Sequence, residues 1–374
     1  MNKQPAIRDF SIAIVLVAVA ALFAVLSPQF LGPRNLSLLL IELSITATLA
    51  LGMLLVILPG HIDLSAGSGV GLLGGIAAVL VFQNQWPAPL ALAAAFVAGL
   101  LIWRAMGWLI VRERIPSFII TLAGLLVFKG LFWLVIQNST VPIVQGGGTN
   151  LYSLLTTCYL PQAAGYALAT VVAVCLAWLK IASRRRRLQC GFEVESGPAS
   201  FLKWLVAAQF LVLFVAVTNQ FRGVPLAVLI LGAVATVIHI LTRHTPFGRH
   251  LYAIGGNEEA AVVSGIPVRA TVIGAFTLMG AIVALTGFMQ TAYAGASTTT
   301  VGELMELDAI AACVIGGVGL KGGRGSVMGV LFGALLMAVL LNGMTLLAVS
   351  PEFKFITRGL VLAVAVWMDV RLSK

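Results

Sequence analysis

Long, uninterrupted apolar runs dominate the sequence and constrain its fold more than any other feature. The runs 12–26 and 224–241, for example, contain no Asp, Glu, Lys or Arg. A run of about 20 apolar residues matches the ~30 Å hydrocarbon core of a bilayer. Backbone polar groups in lipid must be satisfied within helices or a closed barrel. A barrel would show ~10-residue segments of alternating polarity, so the continuous runs predict an all-α, polytopic membrane helix bundle.

The apolar runs divide the chain into segments of membrane-spanning length. No linker-like segment separates a second domain, so residues 1–374 are predicted to form a single transmembrane domain with a cytoplasmic loop at 243–269. The tenth predicted span is too short to cross unaided, and we expect a broken or re-entrant helix there, buried in protein. The twelve predicted spans are 11–26, 36–58, 64–82, 88–111, 117–136, 163–182, 201–217, 224–242, 270–293, 306–317, 326–349 and 354–368.

The basic residues predict the orientation. A formal net charge of +10 could suggest a nucleic-acid partner, but only 10% of the residues are charged, against about 25% in soluble domains. Lysine and arginine are enriched in cytoplasmic loops, which explains their placement better, and both termini are predicted to be cytoplasmic. One side carries Lys3, Arg8, Arg112, Arg114, Arg184–Arg187, Arg243, Arg249, Arg269, Lys321, Arg324, Arg371 and Lys374, and the other carries Arg34, Arg222, Lys354 and Arg358.

The cysteines do not indicate a metal site. Cys158, Cys175, Cys190 and Cys313 form no C-x-x-C pair and do not cluster with histidine. We interpret them as packing residues and expect neither a metal nor a redox centre.

Two sets of glycines are spaced by four residues, which places each set on one helix face and lets backbones approach closely. They are Gly67, Gly71 and Gly75, and Gly325, Gly329 and Gly333.

A short helix is predicted in the loop after the eighth span, over about 257–264. Asn257 is a suitable N-cap, Glu258 and Glu259 suit the positive first turn, and Gly265 suits the C-terminal end. The helix is too short to span and too polar to be buried. It is either an ordinary solvated loop helix or a docking element on which a cytoplasmic partner acts.

This loop resembles the coupling segment of ABC-transporter permeases, in which Glu-Ala-Ala is followed by a glycine and then Ile-Pro. The matching residues are Glu259, Ala260, Ala261, Gly265, Ile266 and Pro267. Other stretches resemble the sugar-importer permease family of the ribose, arabinose, galactose and xylose systems, namely 60–68, 116–122, 247–249 and 306–317. The resemblance covers nearly the whole chain. The xylose-type permeases look nearest, because the ribose relatives lack an extra pair of spans around Arg184–Arg187.

The resemblance implies a ten-span family core plus that extra pair, in the inner membrane of a bacterium. It implies a non-enzymatic pore subunit that pairs with a second permease copy, receives a monosaccharide from a periplasmic binding protein, and is driven by cytoplasmic ABC ATPase subunits. The nearest subgroup points to a pentose, xylose. ATP and Mg²⁺ are expected on the partner ATPase, and this chain is expected to bind no cofactor. Consistent with this, no phosphate-binding loop is present, since Lys321 is followed by Gly322 rather than Ser or Thr.

The candidate coupling residues follow from the loop. They are Gly256, Asn257, Glu258, Glu259, Ala260, Ala261, Ser264 and Gly265. No catalytic residue is expected.

The candidate translocation or gating residues are polar or aromatic groups at or within the spans. Asp63 has one of two roles: it caps the third span or interacts with the positive end of that helix, or it is a gate or pore-lining contact. Glu42 is costly in its span unless it has a partner across the bundle. Asp308 is expected to cap the tenth span, and Asn342 faces either a helix neighbour or the pore. The set is completed by Ser65 and Phe118, although an aromatic residue in a span more often lies in the core. Three tryptophans near helix ends are interpreted as interfacial anchors: Trp103, Trp108 and Trp367.

Two other classes of protein remain as alternatives. An ion-coupled secondary transporter would need ionisable groups near the midplane, for which Glu42 is the best candidate, but it would not need the Glu-Ala-Ala loop. A membrane enzyme would need convergent catalytic residues, and the four histidines are dispersed along the chain.

Overall fold

The structure, a computed structural model, describes residues 4–372 with the exception of Glu193 and Glu195. Lys3 and Lys374, used above for orientation, lie outside the described residues. Over the described range the chain is mostly helical, with only two strands of two residues each, which confirms the predicted all-α bundle. The elements are α1 (Gln4–Leu26), α2 (Pro33–Ile57), α3 (Ala66–Phe82), α4 (Ala88–Glu113), α5 (Ser117–Val135), β1 (Val141–Pro142), α6 (Leu151–Thr157), α7 (Gln162–Gln189), α8 (Gly197–Asn219), α9 (Leu226–His244), α10 (Pro246–Gly256), α11 (Glu258–Val263), α12 (Val268–Ala294), β2 (Ala296–Ser297), α13 (Met305–Ile315), α14 (Val327–Leu346) and α15 (Pro351–Leu372).

Helix α2 forms the centre of the bundle. It packs against α12, α13 and α14, and α12 in turn packs against α3 and α4. The side chains of α2 from Leu49 to Ile57 are all buried. Helices α7 and α8 pack mainly on each other at the periphery, and α1 packs on α14. A helix that is apolar all round and enclosed by other helices belongs in the interior of a membrane bundle, whereas the peripheral helices expose apolar side chains as lipid-facing helices do.

Both glycine sets permit close helix contacts, as predicted. A Cβ at Gly71 would meet the Val301 carbonyl oxygen and the Phe132 ring, and one at Gly75 would also meet Phe132. In the second set, a Cβ at Gly333 would collide with the Ala312 carbonyl oxygen. Small side chains therefore let α3 and α14 approach neighbouring backbone directly.

The described helices differ in their capacity to span a membrane. Eight are long and apolar enough to cross by themselves, and two apolar segments, Ala13–Leu26 and α3, are shorter. Helix α13 has 11 residues and is about 16 Å long, roughly half of the ~30 Å core. The twelve-span count and the cytoplasmic termini stay predictions.

Loop contacts divide the bundle into two ends. At one end β1 pairs with β2, and Tyr159 pairs with Pro225. At the other end α10 lies against the α2–α3 connection and against the loop before α14. The first group contains loops predicted to be outside and the second contains loops predicted to be cytoplasmic, so we call these the outer and the cytoplasmic end.

Candidate functional site

Two short helices, α10 and α11, project at the cytoplasmic end. The Asn257 carboxamide oxygen accepts a hydrogen bond from the Ala260 backbone N–H at 2.9 Å and so caps α11. Helix α11 spans Glu258–Val263, which confirms the short helix predicted over 257–264. Gly265 follows with a φ of +77°, the left-handed conformation that suits glycine after a helix. Helix α10 was not predicted; Thr245 caps it by accepting from the Gly248 N–H.

Most of the candidate coupling residues are accessible. Gly256, Glu258, Glu259 and Ser264 are exposed, as is Gly265, whereas Ala261 is buried and anchors α11 on the bundle. The outward surface of the loop is thus available to a partner.

Sequence reasoning missed two apolar residues on this surface. Val263 is 88% exposed and Val262 is 58% exposed. They lie in a loop outside the predicted spans, where lipid does not cover them. These two valines are the last two residues of α11 and expose apolar surface next to its acidic first turn. Two consecutive valines in an otherwise polar loop were the feature of the sequence that could have identified them.

A backbone joint connects α10 to the centre of the bundle. The Gly323 N–H donates a hydrogen bond to the Leu58 carbonyl at 2.9 Å. A Cβ at Gly255 would collide with the Leu58 oxygen and the Gly323 nitrogen. The Tyr252 hydroxyl donates to the Gly325 carbonyl at 2.9 Å. Burial raises the pKa of this hydroxyl, so it stays protonated as a donor. Helix α10 therefore contacts both the end of α2 and the loop before α14 directly.

Asp63 lies in the connection between α2 and α3 and is fully buried. Its Oδ1 accepts hydrogen bonds from the Ser65 backbone N–H at 2.8 Å and the Ser65 hydroxyl at 2.6 Å, and its Oδ2 accepts one from Trp103 Nε1 at 2.6 Å. The carboxylate therefore sits at the positive N-terminal end of α3, one of the two roles predicted for it, and it ties the α2–α3 connection to α4.

Trp103 corrects an expectation. It has no exposed surface, stacks on Phe128 with ring centroids 5.2 Å apart, and donates to Asp63. The interpretation as an interfacial anchor was wrong for this residue, because burial depends on which helix face meets α3 and not on distance from the helix end. Trp108 and Trp367 are exposed, each beside an arginine, as interfacial residues are.

The short tenth span predicted at 306–317 corresponds to α13, a continuous helix over Met305–Ile315, and the irregular backbone lies before it. Residues 299–304 form consecutive turns that lead into α13. The Gly302 carbonyl lies against Gly67 and the Val301 carbonyl against Gly71. Gly71 is eleven residues before the outer end of α3, hence about 16 Å below it. The turns therefore descend from the outer end to about mid-membrane, where α13 begins. Discontinuous helices of this kind form substrate sites in transporters.

Glu42 has the partners across the bundle that were predicted for it. Its Oε1 accepts a hydrogen bond from the Tyr293 hydroxyl at 2.9 Å, and its Oε2 accepts one from Asn342 Nδ2 at 3.3 Å. The Asn342 oxygen accepts from Asn35 Nδ2 at 2.9 Å. Asn342 therefore faces helix neighbours. This network joins α2, α12 and α14.

Asp308 does not cap α13, contrary to expectation. The N-cap is Leu304, in a left-handed conformation without a side-chain hydrogen bond. Asp308 lies one turn further on, where its Oδ1 is 3.1 Å from Arg358 Nε on α15. A cap must precede the helix, and the structure begins the helix at Met305. The ion pair instead holds α13 against α15.

A cleft in the outer half of the bundle collects several of these groups. Its volume is about 250 Å³, and it is bounded by α2, α12, α13, α14, α15 and the segment 298–304. Its polar lining includes Glu42, Gln290, Tyr293, Glu303, Asp308 and Arg358. The structure thus brings Glu42 and Asp308 to one cleft, with Asn342 bonded to Glu42 just behind it. Asp63 and Ser65 form a separate cluster nearer the cytoplasmic end.

Phe118 is not among the residues that line the cleft. It is 52% exposed near the start of α5, so the expectation that it lies in the core was wrong. Sequence reasoning also missed Lys129, which lies within α5, and the pairing of Arg358. A lysine inside an apolar span was a usable signal, since such residues are rare and functional.

Comparisons with known proteins identify relatives along almost the whole chain. Residues 35–366 match the family described as branched-chain amino acid transport system / permease component. The chain is 39% identical to the xylose transport system permease protein XylH of Haemophilus influenzae, covering 98% of each chain. It is 38% identical to XylH of Escherichia coli K12, covering 95% of this chain and 91% of the relative.

A second group of relatives is less similar. The chain is 32% identical to the ribose import permease protein RbsC of Escherichia coli K12, covering 95% of this chain and 92% of the relative. No solved structure matched the chain.

Proposed function

Because the chain belongs to the family of branched-chain amino acid transport system permease components, we propose that it is the permease subunit of an ATP-driven ABC importer for a monosaccharide, specifically the pentose xylose. It is a multi-pass protein of the bacterial inner membrane. The sugar assignment is supported by full-length likeness to two xylose permeases and, at lower identity, to a ribose permease.

One structural observation carries the coupling part of the proposal. Helix α10 contacts the end of α2 and the loop before α14 through backbone atoms at Gly255, Leu58 and Gly323. A partner that displaces α11 would also displace α10, because the two short helices are consecutive. Helix α10 would then displace the end of α2 and the loop before α14, which it contacts. The apolar Val262 and Val263 and the acidic Glu258 and Glu259 give a partner both a burial surface and charge to recognise.

The proposed partners are the other components of an ATP-driven importer. Cytoplasmic ATPase subunits dock on α11 and hold the ATP and Mg²⁺, a periplasmic sugar-binding protein docks at the outer end, and a second permease copy completes the pore as a homodimer. Energy and recognition are supplied by those partners, and this chain supplies the passage.

The function is tested by sugar uptake. The chain is co-produced with its ATPase and binding-protein partners in a bacterium that lacks its own xylose transporters, and entry of radiolabelled xylose is measured. We expect uptake that stops when ATP is depleted and that persists when an uncoupler abolishes the proton gradient. Uptake lost with the uncoupler while ATP is maintained would instead favour an ion-coupled transporter, and uptake of leucine without xylose would contradict the sugar assignment.

Docking on α11 is tested by adding bulk and positive charge there. In Gly265→Arg and Glu259→Arg, we expect normal membrane insertion but a loss of at least about tenfold in sugar moved per ATP hydrolysed, which corresponds to about 1.4 kcal/mol, because the added bulk and positive charge disrupt the contact with the partner. A side chain at Gly265 meets no atom within 4 Å, so the bundle itself tolerates it apart from the left-handed backbone, about 1–2 kcal/mol.

Gly191→Arg is the matched control. Gly191 has a φ of +71°, and a Cβ there also meets nothing within 4 Å. It lies in a different loop of the same predicted side. We expect this variant to transport normally, and equal transport by all three variants would contradict docking on α11.

A further inference from the structure

A charged pair lies on the outer half of α5, on a surface that the bundle leaves open. Lys129 Nζ is 3.9 Å from Glu303 Oε1, with side chains 41% and 45% exposed. Lys129 is six residues from the outer end of α5, about 9 Å below it. Its ammonium lies 5.4 Å from the centre of the Trp133 ring. The Trp133 Nε1 donates to the Thr299 carbonyl at 3.3 Å, which fixes the ring beside the pair.

This surface is incompatible with lipid. A charged side chain facing hydrocarbon is costly, and such residues in spans face a bundle interior or a water-filled cavity. Beside the pair, Thr299 and Thr300 are exposed in the non-helical segment 298–304. Irregular backbone at membrane depth is tolerated only where protein buries it or where it lines a water-filled cavity. Two independent features, charge and irregular backbone, therefore place water or protein here.

The same surface continues into the cleft described above. Thr300 and Glu303 are also among the residues that line that cleft, together with Glu42 and Asp308. The polar band therefore runs without a break from α5 to the buried network around Glu42. A polar band that enters the outer half of the bundle has the form of a passage rather than of a dry contact.

We propose that Lys129, Trp133, Thr299, Thr300 and Glu303, here called the outer face, line the water-filled passage and contact the substrate, a neutral polyhydroxylated molecule. The inference that these residues face water depends only on their charges and on the irregular backbone. The inference that they contact a polyhydroxylated substrate rests on the proposed function. Lys129 donates and Glu303 accepts, so together they match the donor and acceptor pairs of sugar hydroxyls while carrying no net charge. The threonines add hydroxyl and carbonyl groups, and the tryptophan ring suits the apolar face of a sugar.

The test measures water access by cysteine labelling in the assembled transporter. In a chain whose four native cysteines are replaced by serine, we make Lys129→Cys and Thr300→Cys, and Val127→Cys as the control. Val127 is two residues from Lys129, so it lies at nearly the same depth but about 200° around the helix, and it is 56% exposed and apolar. We expect a membrane-impermeant thiol reagent to label positions 129 and 300 at least about tenfold faster than position 127, because the reagent does not enter lipid.

Thr300→Cys keeps the Lys129–Glu303 pair, so water access can still be measured at position 300 if Lys129→Cys folds poorly. Labelling at 129 and 300 as slow as at 127, in both ATP-free and ATP-bound complexes, would overturn the inference even if xylose uptake is intact. Xylose delivered by the binding protein is expected to slow labelling at Thr300→Cys. Fast labelling that xylose leaves unchanged would overturn the substrate contact and keep the water lining, and if uptake assays also reject xylose, the proposed function fails instead.

Discussion

Replacing Gly255 with alanine is expected to lower xylose uptake at least about tenfold while the protein still inserts and assembles. A Cβ at this position would overlap the Leu58 carbonyl oxygen and the Gly323 nitrogen. Overpacking at a tight contact costs roughly 1–3 kcal/mol, and 1.4 kcal/mol is about tenfold in an equilibrium. The added methyl forces α10 away from the joint. The measurement is uptake and ATP hydrolysis in proteoliposomes, and the ratio of sugar moved to ATP hydrolysed is expected to fall.

A glycine in α9, outside the candidate coupling residues, provides a control. A Cβ at Gly232 meets nothing within 4 Å, and neither Gly255 nor Gly232 has a positive φ, so alanine suits the backbone at both positions. Gly232→Ala is expected to keep wild-type coupling. If the two variants couple equally well, the joint does not transmit motion from α10 to α2.

Replacing Asp63 with alanine is expected to give the largest loss of stability. The substitution leaves the Ser65 N–H, the Ser65 hydroxyl and the Trp103 indole N–H without their acceptor. An unsatisfied buried donor costs about 1–3 kcal/mol, so we expect a loss of at least about 3 kcal/mol. The thermal unfolding midpoint of the protein in lipid nanodiscs, followed by size-exclusion chromatography after heating, should fall by several degrees.

A double-mutant cycle separates the Trp103 bond from the Ser65 bonds. Asp63→Asn keeps an oxygen for Ser65 but turns an amide N–H toward Trp103, so it should be intermediate between wild type and Asp63→Ala. Trp103→Phe removes the indole donor and should make Asp63→Asn less costly than it is alone, because contacting residues show non-additive effects. Strict additivity of the two substitutions would exclude the direct Asp63–Trp103 bond, and an alanine variant as stable as wild type would exclude the whole cluster.

Local features were predictable where nearby residues alone specify them. The cap at Asn257, the short helix after it and the left-handed Gly265 follow from capping chemistry within one turn, and the structure contains all three. The partner of Glu42 was predictable in kind, because an unpaired carboxylate in a span is too costly. Its identity was not, since Tyr293 lies 251 residues away in sequence.

Other features depended on three-dimensional packing. Phe118 and Trp103 are both large aromatic residues in apolar helices, yet Phe118 is exposed and Trp103 is fully buried. Which face of a helix meets its neighbour depends on distant helices, so periodicity in an all-apolar helix gives no guide to it. The same limit applies to Lys129, whose importance follows from the open surface around it and from Glu303 on another segment.

The sequence by itself determined that this is a membrane protein, that it is all-helical, and that a short capped helix follows Asn257, because hydrocarbon admits few backbone conformations and capping acts within one turn. The tertiary structure alone decided that the segment 298–304 descends unwound beside α3, that α10 meets α2 through Gly255, and that polar groups from five helices share one cleft. Those contacts join residues far apart in the chain, and the free energy that selects them comes from packing rather than from local preference.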